Sequence, residues 1–189
     1  MEIIFTALYI FMLSLTLALM EIQIEGKNGW ARELPTWRAN PNSKIFRVFS
    51  MVMPGKDLTG YHMLFFVLIV MIFHFPYVQG LPFTLLNWLM TLSLMFLCML
   101  MEDFLWFIFN PAYGMQKFFG NQVPWHERRV FGLPSDYFMA FGTSLLMSLI
   151  AYLISQNVGI FLWWFANISI FFLLISASII FMHFRTPKT

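Results

Sequence analysis

From Pro82 to Phe109 the chain reads PFTLLNWLMTLSLMFLCMLMEDFLWFIF, and the fold follows from this stretch. Its only charges are Glu102 and Asp103, side by side, twenty residues beyond the proline. A helix advances about 1.5 Å per residue, so roughly 20 apolar residues cross the hydrocarbon of a bilayer. The stretch is long enough to span a membrane, and it carries its acid pair to the far boundary of the hydrocarbon. A water-facing helix would show a polar stripe, and none is present here.

Four further stretches have the same character, at about residues 3–20, 61–78, 137–155 and 159–184. The composition agrees: 60% of the residues are apolar, 20% are aromatic and only 11% are charged, against about 25% charged in soluble proteins. A water-soluble fold cannot hide that much apolar surface, whereas 24 Phe and 15 Met suit a lipid-facing one. The sequence therefore predicts an all-α, polytopic integral membrane protein with five transmembrane helices in a single transmembrane domain covering residues 1–189. Glu2 stands where a secretory signal would carry Lys or Arg, so the first stretch is expected to remain as a helix.

The connections between the second and third spans and between the fourth and fifth carry no charge. The segments 21–60 and 110–136 hold Lys27, Arg32, Arg38, Lys44, Arg47, Lys56, Lys117, Arg128 and Arg129, and Arg185 and Lys188 close the carboxyl end. With five crossings all eleven basic residues fall on one side. Basic loops stay in the cytosol, so the amino terminus is expected outside and the carboxyl terminus inside, in a multi-pass protein of the cell membrane.

Within the first long loop, residues 43–53 read SKIFRVFSMVM. Ser43 is a helix N-cap, Lys44, Arg47 and Ser50 recur at helical spacing, and Ile45, Phe46, Phe49 and Val52 cover the opposite side. A short amphipathic helix lying in the headgroup plane is expected there.

Counting depth from the helix ends places Glu21, His62, Glu102, Asp103, Asp136 and His183 in one layer at the inner boundary. Glu21 and Glu25 share a helix face if the first helix runs on. Carboxylates so placed need a positive partner, and a divalent metal held by Glu21, Glu25, His62, Glu102 and Asp103 would be one. Glu102, Asp103, His62 and Glu21 are the candidate catalytic groups. Lys117, Arg128, Arg129 and His126 are candidates to hold the polar head of a lipid substrate. The competing reading has these acids pairing with the Lys and Arg of the same loops and capping helices, with Asp136 as the N-cap of the fourth span. His74, Trp88, Trp163 and Trp164 read as residues of the outer interface, and Thr143, Ser144 and Ser148 as helix-packing contacts.

Other chemistries are excluded or unsupported. The single Cys98 forbids an internal disulfide, and phosphate loops, GxSxG and HExxH are absent. Nucleic acid finds no basic module. The function expected is an integral membrane enzyme acting on a lipid or isoprenoid-like substrate at the cytosolic interface, through metal binding or acid/base chemistry. A non-catalytic assembly subunit docking a partner through its loops is the alternative, and a transporter is a minor one, because the midplane holds only Ser, Thr and Asn. The orientation is testable by cysteine mapping in a Cys98→Ser background. A cysteine at Asn42 should react with an impermeant maleimide only from the cytosolic side, and one at Gln156 only from outside.

Overall fold

The structure, a computed structural model, describes residues 2–185. Lys188 and the side chain of Arg185, which contribute to the charge asymmetry, lie outside the described residues. The order is α1 (Glu2–Glu25), α2 (Lys44–Val52), α3 (Gly60–Val78), α4 (Leu85–Phe109), α5 (Gly114–Phe119), β1 (Arg129–Val130), β2 (Leu133–Pro134), α6 (Ser135–Ser155) and α7 (Val158–Arg185). Five of these helices, α1, α3, α4, α6 and α7, are long and apolar enough to cross a membrane, so the chain is an all-α polytopic membrane protein.

The helix between the first two spans forms as expected. Ser43 caps α2 by accepting a hydrogen bond from the Phe46 amide at 3.2 Å, and no residue of α2 is buried by the rest of the protein. Thr59 and Thr84 cap α3 and α4 in the same way. Pro76 sits within the last turn of α3, which ends at Val78 as expected. The reversal is made by Gln79 and Gly80, the latter at φ +102°, where a glycine has no side chain to clash.

α4 is the centre of the bundle and packs on α1, α3, α6 and α7. Small residues allow the close approach: Ala7, Ser14 and Ala18 on α1, and Ser144, Ser148 and Ala151 on α6, are fully buried. Hydrogen bonds then lock the crossings. Ser14 Oγ reaches the Cys98 carbonyl at 3.1 Å, and Ser93 Oγ meets Ser144 Oγ at 2.9 Å. Trp164, expected in the outer aromatic belt, is buried instead and donates its indole N–H to Ser144 Oγ at 2.9 Å. Trp88 likewise donates to His74 Nε2 at 3.1 Å. In hydrocarbon an indole N–H has no water to bond, which favours an interhelical partner over exposure.

The Ser93–Ser144–Trp164 junction should therefore carry stability. Ser144→Ala is expected to cost about 1 kcal/mol, the scale of interhelical polar contacts in membranes. Ser144→Leu should cost more, by forcing α4 and α6 apart. Unfolding in mixed micelles measures both.

Candidate functional site

α1 does run on to Glu25, so Glu21 and Glu25 share one buried face, and α3 places His62 against them. His62 Nε2 lies 3.5 Å from Glu25 Oε1 and 3.8 Å from Glu21 Oε1. One ligand atom from each of the three residues lies within 4.8 Å of the others. The second ring nitrogen, Nδ1, is 2.8 Å from Thr59 Oγ1, the hydroxyl that caps α3. Glu102 faces Glu21 across the α1–α4 crossing. His62 Nε2 and Glu102 Oε1 are buried and have no hydrogen-bond partner among the described residues.

The loop after α1 is shaped to close over this cluster. Gly29, Trp30 and Ala31 have φ of +57°, +46° and +50° in succession. For residues with a side chain that conformation costs roughly 1–2 kcal/mol each. Local contacts hold it. The Ala31 amide donates to Glu25 Oε1, the Arg38 guanidinium donates to the carbonyls of Ala31 and Arg32, and Trp30 Nε1 donates to the Asp57 carbonyl at 2.8 Å. The result is that Trp30 stacks on His62, with centroids 3.8 Å apart and planes 14° off parallel. Gly29 lies so close to the Trp125 ring that a Cβ would not fit.

A second set of polar groups adjoins the first. Lys56 Nζ donates to Asp136 Oδ2 at 2.5 Å and sits 4.5 Å above the Trp30 ring. His126 Nδ1 is 3.5 Å from Asp136 Oδ2, and its Nε2 is 3.5 Å from Asp103 Oδ2. Tyr137 donates its hydroxyl to Asp103. These groups form a continuous chain, Lys56–Asp136–His126–Asp103–Tyr137. His126 stands between the two aspartates at ion-pair distance, although neither of its ring nitrogens makes a hydrogen bond among the described residues. Asp136 is not the N-cap expected: the capping position falls to Pro134, which makes no side-chain bond, and Asp136 in the first turn is drawn to Lys56 and His126.

The charges divide the site. With His126 protonated, Lys56 and His126 balance Asp103 and Asp136. Glu21, Glu25 and Glu102 form no ion pair with any Lys or Arg among the described residues. Glu21 and Glu25 thus have only the His62 imidazole at ion-pair distance, and Glu102 has no basic partner among the described residues.

A cavity of about 290 Å³ is lined by both sets, including Glu21, Glu25, His62, Glu102, Asp103 and Asp136. Lys56, Trp30 and Tyr137 line it too, and sequence reasoning missed all three. The only trace of Lys56 was the Pro54-Gly55 turn ahead of it, with Gly55 at φ +80°. Of the expected head-binding residues, none lines this cavity. Lys117 bonds the Ala112 carbonyl, Arg129 bonds the carbonyls of Phe118 and Gly132 at 2.7 and 2.8 Å, and Arg128 is exposed. His126 stands behind the two aspartates that do line it. His183 is exposed beside Phe184, away from the cluster, and His74 lies at the opposite end of α3.

Fold and site together define a polytopic α-helical membrane protein with a buried Glu/Glu/His cluster at the end of the bundle where the long loops lie. No protein family, curated protein or solved structure matches this chain.

His126 supplies a pH-dependent contact between the second long loop and the bundle. Burial alone would lower its pKa, but the Asp103 carboxylate, joined by Asp136, outweighs burial and holds it above the ordinary 6.5. A raised histidine stabilises the folded state fully below its unfolded value, and that contribution is lost as pH rises through the folded value. Protease cleavage within residues 114–133 should therefore increase as pH rises above about 6.5. His126→Phe should abolish the dependence; an unchanged profile in that variant would refute the assignment.

Proposed function

We propose that the protein is a metal-dependent membrane enzyme acting on a lipid at the cytosolic interface, with Glu21, Glu25 and His62 as ligands to a divalent cation and Glu102 as a further carboxylate beside it. The observation that carries this reading is the convergence of two carboxylates and an imidazole nitrogen, buried in a cavity and with no ion pair from Glu21 or Glu25 to Lys or Arg, the Lys56 in the same lining being taken by Asp136. Carboxylates packed together out of water need a cation or a proton between them. Thr59 Oγ1, 2.8 Å from His62 Nδ1, is placed to take a proton there, and in that tautomer the Nε2 lone pair would turn to that same point. A mixed oxygen and nitrogen set suits zinc, manganese or iron better than calcium.

Held by Glu21, Glu25 and His62, a cation of this kind would supply Lewis-acid chemistry toward a substrate oxygen or a water. Beside it, the Tyr137–Asp103–His126–Asp136–Lys56 chain is suited to hold a proton for the reacting group. Asp103 is assigned to that chain rather than to the metal set, because its carboxylate faces Tyr137 and His126 and stands outside the Glu21–Glu25–His62 cluster. Asp103 and Asp136, as the members that line the cavity, are the candidate acid/base groups. The Lys56 ammonium, over Trp30 in the cavity wall, is the candidate contact for a negatively charged substrate oxygen. Lys117, Arg128 and Arg129 would act on the membrane surface, drawing anionic headgroups to the loops.

Elemental analysis of protein purified in mild detergent, without chelator, tests the reading. Near-stoichiometric divalent metal is expected, lost in Glu25→Ala and His62→Ala. Thr59→Val removes the hydroxyl that orients the His62 ring and caps α3, and should weaken metal binding about 10–100-fold. No metal in the wild-type protein, or equal metal in both alanine variants, would overturn the reading.

A further inference from the structure

The cavity has two unlike ends. Its acids, His62 and Lys56 are gathered at the end near the loops, while its remaining wall runs down three helices into the apolar part of the bundle. Ile69 lies seven residues beyond His62, Thr143 seven beyond Asp136, and Phe96 six before Glu102, and all three line the cavity. At about 1.5 Å per residue the wall therefore descends roughly 10 Å below the polar groups, into the depth of acyl chains. Over that length it is lined by Phe65, Phe66, Phe96, Met99, Met139 and Ala140, without a charged residue.

Along this apolar length the cavity is walled by α3, α4 and α6. α3 and α6 each pack on α4 but make little contact with one another, so α4 forms the floor of a groove between them. Met139, on the rim, is half-exposed. From the other side the polar end is roofed by Trp30 and Trp125, whose loops are fastened to the bundle through Glu25 and His126. A water-soluble molecule would meet the roof, whereas an amphiphile already in the membrane meets an open groove.

We infer that the groove between α3 and α6 takes one hydrocarbon chain of a membrane lipid, entering sideways from the inner leaflet and bringing its polar head to Glu21, Glu25, His62 and Lys56. This rests on the reading above and adds where the lipid's chain lies and its direction of approach. The occupant is a lipid chain because the apolar length and the polar end are parts of one continuous cavity, the shape of a single amphiphile. A partner helix would cover the groove without filling the polar end.

The test is photo-crosslinking in native membranes with p-benzoyl-phenylalanine at position 96, on the groove floor, and at position 64, where Leu64 is exposed on the outer face of α3. Adducts at position 96 should be enriched in one lipid class relative to those at position 64. Ala140→Trp, which fills the groove, should abolish the enrichment while leaving bound metal unchanged. Thr143→Phe provides the same block lower down should the tryptophan variant fold poorly. Adducts at 96 that match the bulk lipid seen at 64, adducts with a protein, or enrichment that survives both blocking variants would overturn the inference. Each of those results with metal still bound leaves the metal site standing, whereas loss of the metal reading shows in the wild-type elemental analysis alone.

Discussion

Carboxylates at the edge of a hydrocarbon layer set the terms for the rest of this molecule. Glu21, Glu25, Glu102, Asp103 and Asp136 all come from spanning helices and are held away from bulk water. Each needs a donor, a cation or a proton, because an isolated charge there costs several kcal/mol. Two solutions stand side by side. Asp103 and Asp136 are matched by Tyr137, His126 and Lys56, whereas Glu21 and Glu25 share the His62 imidazole, Glu25 also taking the Ala31 amide, and Glu102 Oε1 has no hydrogen-bond partner among the described residues. The matched half resembles structural charge pairing; the unmatched half is where a cation has a reason to bind.

The long loops exist in their observed form because of that end of the bundle. Three successive residues in left-handed backbone geometry are unfavourable in isolation, and they persist because Glu25, Arg38 and the Asp57 carbonyl together fasten the turn. Trp30 is the beneficiary, sandwiched between His62 and the Lys56 ammonium. Aromatic residues of the second loop do the same from the other side, with Trp125 against Trp106, Phe107 and Tyr113. Such a roof excludes water from the polar cluster, which strengthens every electrostatic interaction beneath it.

The residues legible in the sequence were those whose position along one helix settled the matter. Glu102 and Asp103 were conspicuous because nothing else in their helix is charged, and Glu21 with Glu25 followed from a spacing of four. Lys117, Arg128 and Arg129 were equally conspicuous as basic residues, yet their chain paths turn them onto backbone carbonyls of their own loop. Lys56, an ordinary loop lysine by sequence, is the one brought under the roof. Trp164 shows the same limit inside the membrane, since its depth suggested an interface and its azimuth about α7 put it on Ser144.

The sequence alone determined the number of spans and the capped helix between the first two of them, because length and capping are one-dimensional properties of a chain. Only the tertiary structure decided which acids pair with bases and which are left to share His62, and where the groove between α3 and α6 opens. Those depend on how helices rotate about their axes and how loops fold back. Close packing of small residues across α1, α4 and α6 sets the first, and the sum of many weak, long-range contacts sets the second.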